Sequence, residues 1–396
     1  MSTLLSIVIP TKNRHRYLLS TVEGILKHIK GENFEIVVYD NSDEEILGTK
    51  LRQKIEDERV RYFYDSSEMA IVNNFNKSLS KASGEYICFI GDDDSVHPEI
   101  LNIANWANQN GYESVIGSNS IYYEWPYGEV DGKLTIYPHF NAFKEINLES
   151  ELIKFSKEGA VYYLNHDLSK IYHGLVKKGC MDNVYNKTGS FFNGLTPDSY
   201  GAIALSNVVK KAIRIDFPIS IAGTCFEAKS THKTEEARKR KLKDAPHFKG
   251  RGGYNWSDQV PMVYSGETVW AESAICALQL MGRDDLISLV NHYKMCAHIS
   301  IAVPHLEEKV LNDFLFKKER GKRIPVLLKY YFVKLKIRTK KVLEKALNRI
   351  KKLLNRKTSI QEHGIQDMNT CLEIINGLKS QQNPSFLEQN NYTTIK

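Results

Sequence analysis

The stretch that most constrains this chain is Tyr86-Ile87-Cys88-Phe89-Ile90-Gly91-Asp92-Asp93-Asp94-Ser95. Mostly apolar residues run without alternation into three consecutive carboxylates. Lack of alternation predicts a strand buried on both faces. Gly91 frees the backbone, and the acids fall where the strand leaves the sheet. In open α/β sheets ligands bind at that carboxyl end. Three adjacent negative charges repel one another, so a cation is expected among them. A hard divalent ion, magnesium or manganese, prefers such oxygen ligands and in turn holds the oxygens of a diphosphate. The plain alternative is a solvated acidic turn ahead of the helix after Pro98.

The preceding residues weaken that alternative. Leu4–Ile9 is a continuous apolar run, read as a first strand, and Pro10-Thr11-Lys12-Asn13 follows as a loop. From Arg16 apolar residues recur at helical spacing until Gly31. Glu35–Tyr39 reads as a second strand ending at Asp40, which repeats the arrangement of a carboxylate at a strand's end. Glu44–Ile55 reads as a helix, Val60–Tyr64 as a third strand, and Asp65-Ser66-Ser67 supplies cap residues for a helix through Val72, Phe75 and Leu79. Strands alternating with helices imply a largely parallel sheet covered on both faces. Two strands then deliver acids to one sheet edge.

The ordered set SIVIPTKNR, EIVVYDNSD and NNFNKSLSKASGEYICFIGDDD resembles the nucleotide-binding half of family 2 glycosyltransferases. The resemblance is clear over about residues 4–120 and weaker to about 225. It implies an α/β fold of the GT-A type: one nucleotide-binding domain with a mostly parallel twisted sheet, followed by a C-terminal helical extension. Its expected layout is a catalytic domain at 1–225, with nucleotide-sugar binding at about 1–120 and the acceptor side at about 121–225. Residue by residue, the resemblance implies that Pro10, Thr11, Asn13, Asp40, Asn73, Asn74, Asp92 and Asp93 line the nucleotide-sugar site. Asp92, Asp93 and Asp94 would be the metal ligands. Two departures stand out: Glu68-Met69-Ala70 lacks the usual glycine, and Gly91 replaces an acid, leaving open which Asp is the principal ligand. The implied activity is an inverting, metal-dependent transfer from a nucleotide sugar, most often a UDP-sugar, to a glycan or lipid-linked glycan hydroxyl, as in cell-surface polysaccharide assembly. Direct attack by the acceptor needs one general base. The segment Thr196-Pro197-Asp198-Ser199-Tyr200 makes Asp198 that candidate, with Glu227 and Glu272 in reserve; an ordinary acid in a helix's first turn is the competing explanation for Asp198.

Further on, residues 226–314 read as a helical extension packed on the catalytic domain. Ile215–Thr224 reads as a strand and loop. Lys229 or His232 could reach a phosphate, and Thr234–Lys243 reads as an exposed helix or a lid. Gly250–Tyr254 lacks the strand-then-helix context of a phosphate-binding loop. Trp256 and Trp270 could stack on a sugar, although core packing explains them as well. The chain of 396 residues has 42% hydrophobic content and six scattered cysteines without a Cys-x-x-Cys pair, which excludes a zinc ribbon and a disulfide scaffold. No signal peptide is evident, and no uncharged apolar segment is long enough to span a bilayer.

The net charge of +7 conceals an asymmetry. Lys317–Lys357 carries seventeen Lys/Arg against two Glu, a net +15, so the remaining residues carry −8. Within it, Val342, Leu343, Ala346, Leu347, Ile350, Leu353 and Leu354 form one helical stripe, with Lys341, Lys345, Arg349, Lys352 and Arg356 on the other faces. Residues 315–357 therefore form a basic amphipathic segment suited to an anionic membrane surface, implying a cytoplasmic enzyme held on the inner face of the plasma membrane. A helix docked on the protein's own acidic domain is the alternative. Residues 358–396 read as a polar, poorly ordered tail. A sugar-nucleotide nucleotidyltransferase would need a glycine-rich loop after the first strand, and Pro10-Thr11-Lys12-Asn13 has none. A nucleic-acid-binding protein would need aromatic recognition motifs, which are absent, so no nucleic-acid partner is expected.

Overall fold

The computed structural model describes residues 3–139, 142–226, 242, 245–251, 253–319, 322–354 and 359–378. Its first part alternates as the apolar pattern predicts: β1 (Leu5–Thr11), α1 (His15–His28), β2 (Phe34–Asp40), α2 (Ile46–Lys54), β3 (Val60–Tyr64), α3 (Ile71–Ser80) and β4 (Tyr86–Phe89). These four strands lie parallel in the order β3-β2-β1-β4. Alternate residues point to opposite faces. Val8, Val37, Ile87 and Phe89 meet Val72, Phe75 and Leu79 of α3 on one side. Ile7, Ile36, Val38, Cys88 and Ile90 meet Leu18, Val22 and Ile25 of α1 on the other. Both faces are thus buried, which is why these strands read as unbroken apolar runs.

The rest of the chain completes this sheet and adds a second. In chain order come β5 (Ser95–Val96), α4 (Ile100–Gln109), β6 (Ser114–Ile116), β7 (Ile121–Glu124), β8 (Lys133–Ile136), β9 (Phe143–Ile146), α5 (Leu148–Lys157), β10 (Gly174–Lys177), α6 (Lys178–Thr188), α7 (Pro197–Ser206), β11 (Ala212–Ile215) and β12 (Ser220–Thr224). The large sheet continues β4-β10-β6-β11-β9, with β10 antiparallel to both neighbours. After β12 come α8 (Gly266–Leu280), α9 (Asp284–Ser288), α10 (His292–Ala302), α11 (Arg323–Leu354), β13 (Ile360–His363) and α12 (Met368–Leu378). The second sheet has the order β13-β8-β7-β12-β5.

Three expectations are corrected. Asp65 does not cap α3: the helix starts at Ile71 after Ala70 with no side-chain cap. Asp65 is drawn away by Lys77, Tyr39 and the Ser67 amide. The single strand predicted over Ile215–Thr224 is broken: β11 ends at Ile215 and β12 begins at Ser220, each in a different sheet. The tail is not uniformly disordered. Residues 360–378 add β13 to the edge of β8 and lay α12 along α1. Met368, Cys371, Leu372 and Ile375 form a small core with Tyr17 of α1, Tyr123 and Trp125. The helices meet so closely that a Cβ at Gly24 would lie 2.7 Å from Leu372. Residues 379–396 lie outside the described residues, as do Glu227, Lys229, His232 and most of the Thr234–Lys243 segment.

Candidate active site

The carboxyl ends of β1, β2 and β4 converge. Thr11, the last residue of β1, sits opposite Asp40 of β2 in the ladder. Its hydroxyl donates to Asp92 Oδ2 at 2.6 Å, and its carbonyl accepts from Asn74 Nδ2 at 3.4 Å. Asn13 adopts the left-handed conformation (φ 58°), which asparagine tolerates better than most residues. Its amide donates to Ser42 Oγ, while its side chain exchanges hydrogen bonds with Asp43. Asp40 is fully buried and accepts from the Ser42 amide and the Tyr62 hydroxyl, both at 2.8 Å. The predicted nucleotide residues therefore form two linked chains of hydrogen bonds, Asp40–Ser42–Asn13 and Asp92–Thr11–Asn74. Pro10 lies in the β1 ladder opposite Tyr39. Of the two asparagines on α3, Asn74 is buried and Asn73 exposed.

The three acids have different surroundings. Asp94 points inward, where it is fully engaged. Its Oδ1 accepts from the Gly223 amide at 2.8 Å. Its Oδ2 accepts from the Gly91 amide at 2.8 Å and the Tyr172 hydroxyl at 2.9 Å, with His173 Nε2 at 3.2 Å. Burial raises its pKa, but His173 and the Gly91 and Gly223 amides outweigh burial and hold it below the ordinary carboxylate value. His173 itself is left-handed (φ 59°) and is fixed from its other side by Ser220 at 2.7 Å.

Asp92 and Asp93 face Arg14 instead. Arg14 Nε lies 3.1 Å from Asp92 Oδ1, and its Nη1 lies 3.3 Å from Asp93 Oδ1. The cation demanded by three adjacent charges is, in this structure, a guanidinium. Compensation is incomplete: Asp92 Oδ1 is buried with no hydrogen bond directed at it. Burial, opposed by Arg14 and reinforced by Asp93, pushes Asp92 up to about 7. Burial and the Asp94 charge likewise raise Asp93. Burial disfavours the charge on Arg14, yet the two carboxylates more than offset it and keep the guanidinium protonated.

Of the three aspartates expected to hold a metal ion, Asp94 has its oxygens occupied by protein donors, whereas Asp92 and Asp93 face Arg14. Among the described residues no group of three or more His, Cys, Asp or Glu side chains is placed to hold a metal ion. Asp92 and Asp93 do fit a hard divalent ion, which commonly takes one or two carboxylates and completes its shell with water and substrate phosphates. Their under-compensated charge is the feature that fits.

Asp198 stands in the first turn of α7, after Thr196 and Pro197. It accepts a 2.6 Å hydrogen bond from the Tyr163 hydroxyl. Burial and the adjacent carboxylate raise Tyr163 well above its ordinary pKa, so it stays a donor. A cavity of about 730 Å³ joins the two charged centres: Arg14, Tyr172, Asp198, Glu267 and Trp270 are among its walls. That volume falls within the range of small-molecule sites. Trp270 is thus a cavity wall as well as a packing residue. Trp256 packs against the core and donates to the Val260 carbonyl. Glu272 is buried elsewhere, accepting from Tyr254 and the Ser257 amide.

Sequence reasoning missed Arg14, Tyr172, His173, Gly223 and Trp125, whose indole donates to the Asp93 carbonyl at 2.7 Å. Arg14 could have been found, since it directly follows the loop already singled out. The others come from strands and turns far from the triplet in sequence.

The Glycosyl transferase family 2 model matches residues 6–164, which contain the β1–β4 unit, the acidic triplet and Arg14. Over these residues the chain is similar to glycosyl transferase family 2. The glycosyltransferase GlyG of Streptococcus pneumoniae is 31% identical over 139 residues, 35% of this chain and 44% of that protein. The GalNAc(5)-diNAcBac-PP-undecaprenol beta-1,3-glucosyltransferase of Campylobacter jejuni is 31% identical over 119 residues, 29% of this chain and 37% of that protein. The chain thus spans less than half the length of these relatives. A crystal structure of S. aureus TarS 1-349 in complex with UDP-GlcNAc aligns over 85% of this chain and 92% of that one, at 15% identity and a TM-score of 0.46.

Proposed function

We propose that the chain transfers a sugar from a nucleotide-sugar donor, UDP-linked by the family resemblance, to a hydroxyl of a glycan or lipid-linked glycan, inverting the anomeric carbon. The observation that carries this reading is the single cavity with Arg14 and Asp198 among its walls. Arg14 is tied to Asp92 and Asp93, so one wall suits a diphosphate and another offers a carboxylate base. The undecaprenol-linked substrate in the name of the Campylobacter relative supports a lipid-linked acceptor.

In this reading Pro10, Thr11, Asn13, Asp40, Asn73 and Asn74 hold the nucleoside. Thr11 also fixes the rotamer of Asp92. The Arg14 guanidinium gives charge-assisted hydrogen bonds to phosphate oxygens. Asp92 and Asp93 would hold magnesium or manganese, whose chemistry is to stabilise the charge on the departing diphosphate. Trp270 offers an apolar face for a sugar ring. Asp198, oriented by Tyr163, accepts the proton of the attacking hydroxyl as the new glycosidic bond forms and the bond to the diphosphate breaks. No covalent intermediate is needed, because attack and departure occur on opposite faces of the anomeric carbon.

The test is a screen of nucleotide sugars with magnesium or manganese, using free and lipid-linked glycans as acceptors, for release of nucleoside diphosphate and a new product. Release that depends on both acceptor and metal is the expected result. No release with any donor, in protein that still binds no nucleotide sugar, would overturn the reading.

A further inference from the structure

The helix α11 has two apolar faces, and among the described residues only one is covered. Toward α10 it buries Val326, Tyr330 and Lys334. Tyr330 and Lys334 both reach Glu307 Oε1, at 2.9 and 2.5 Å. This face is an ordinary docked interface, with Lys329 over the ring of Tyr293 and Lys341 over that of Tyr162 adding to it. At 100° per residue the opposite side carries Ile324, Leu328, Phe332, Leu335 and Val342, and these are 72, 69, 68, 61 and 66% exposed. An amphipathic helix of a globular protein normally turns that side's polar residues outward. Here the outward side is a continuous apolar stripe.

The charges identify what covers it. Lys336 and Lys340 flank the stripe on one side; Arg338, Lys345 and Arg349 flank it on the other, all exposed. The helix carries eleven Lys/Arg and one Glu. A second copy seated on this stripe would bring two such rows of positive charge together. Nucleic acid would meet the lysines but leave the stripe in water. An anionic bilayer satisfies both features: apolar side chains enter the acyl boundary while long basic side chains reach outward to headgroup phosphates. No described helix is long and apolar enough to cross a membrane, so this contact lies along the surface.

We propose that the outward face of α11 is a docking surface for an anionic lipid bilayer. On this proposal the docked-helix and membrane readings of the segment apply to opposite sides of one helix. The placement also has a consequence for the cavity. Ala302 and Val303, at the end of α10, line it, and Lys341 rests on Tyr162, whose hydroxyl donates to Glu267 of the cavity wall. The cavity wall is thus linked to α11 through Tyr162. The lipid contact does not depend on the proposed sugar transfer, and its test reads no activity.

The experiment is vesicle flotation of the full chain with phosphatidylcholine alone and with phosphatidylglycerol mixed in. Binding should appear with phosphatidylglycerol and fall as salt rises. Deleting α11 would expose the α10 face, so point variants carry the test. Leu328→Ser/Phe332→Ser/Leu335→Ser and Arg338→Gln/Lys345→Gln/Arg349→Gln should each lower the bound fraction at least about tenfold. Thermal unfolding should be unchanged in both, since none of the six side chains is buried. A parent protein that ignores phosphatidylglycerol vesicles at low salt overturns the proposal. So does an apolar variant that binds as well as the parent, or one whose only change is the loss of an oligomer in light scattering.

Discussion

The two halves of the site come from different sheets and are built differently. In the half made by β1–β4, each βα unit is local, and three of the four strands lead into the candidate site: β1 ends on Thr11, β2 on Asp40, and Asp92 follows three residues past the end of β4. In the other half, supplied by the second sheet, the contribution comes mainly from backbone. The amides of Gly223 and Cys225, after more than a hundred intervening residues, close on Asp94 and Asp93. Trp125 of the second sheet holds the Asp93 carbonyl. Tyr123 of the same sheet donates to the Ile365 carbonyl, tying in the C-terminal β13–α12 segment. The first half supplies charge, and the second fixes where that charge points. A carboxylate triplet in one continuous stretch is thereby divided into one member held by protein donors and two that face Arg14.

The sharpest way to break this division is to remove the backbone approach. A Cβ at residue 223 would fall 1.6 Å from the Asp93 carbonyl oxygen, a backbone atom with nowhere to go. Gly223→Ala should lose more than about 4 kcal/mol or fail to fold. Chemical denaturation measures this; a variant within 1 kcal/mol of the parent, roughly the size of an ordinary substitution, would mean the second sheet can move away from the triplet.

Asp198→Asn comes next in size and touches neither half of the division. It should leave nucleotide-sugar affinity intact while lowering transfer by about 10²–10⁴, the usual worth of a general base. Calorimetry and product formation separate the two effects. Turnover within a few-fold of the parent would assign the proton to another group.

What was legible in the sequence follows the same line. Apolar runs and helical spacing marked β1, β2 and β4 and their helices because both faces of those strands are covered, while β3, at the sheet edge, is only half-buried. The carboxylates were visible because chain position and sheet edge coincide there. Gly223, Tyr172 and His173 were illegible because nothing local marks them: a glycine near a strand end and an aromatic–histidine pair acquire their roles only when β10 and β12 pair with β4 and β5. The tail misled for a related reason. Its polar, amide-rich end dominated the reading, while Met368, Cys371, Leu372 and Ile375 already had helical spacing. The periodicity read from the sequence lay at Val342–Leu354; the outward stripe at Ile324, Leu328, Phe332 and Leu335 is separated from Val326 and Tyr330 only by the structure.

The triplet itself can be tested member against member. Asp94→Asn should cost about 3 kcal/mol, because it disturbs a buried carboxylate with four donors around it. Asp92→Asn should not lower stability, since burial already disfavours its charge. In the presence of magnesium or manganese, however, it should weaken nucleotide-sugar binding, and Asp93→Asn should do the same. Thermal unfolding and calorimetry with and without EDTA give both readouts. Equal stability losses at positions 92 and 94 would erase the distinction between structural and working acids.

The smallest effect concerns Glu272, a buried acid that serves neither half. Its Oε1 accepts from Tyr254 and the Ser257 amide, and its Oε2 is buried without a partner. Burial, only partly opposed by those donors, pushes its pKa up to about 7. The sign follows from the proton count. Below about pH 4.5 the acid is protonated in both folded and unfolded chains, so its contribution to stability is fully present. As pH rises, the unfolded chain releases the proton first, and stability is lost progressively until the folded group also ionises near pH 7. Between pH 5 and pH 8 the parent should therefore lose about 2 kcal/mol relative to Glu272→Gln. The glutamine keeps an acceptor for Tyr254 and Ser257 but cannot ionise. Urea denaturation of both proteins at the two pH values isolates this term, because every other titrating group is common to them. Parallel pH profiles would show that Glu272 is already ionised in the folded chain, with its Oε2 solvated or paired.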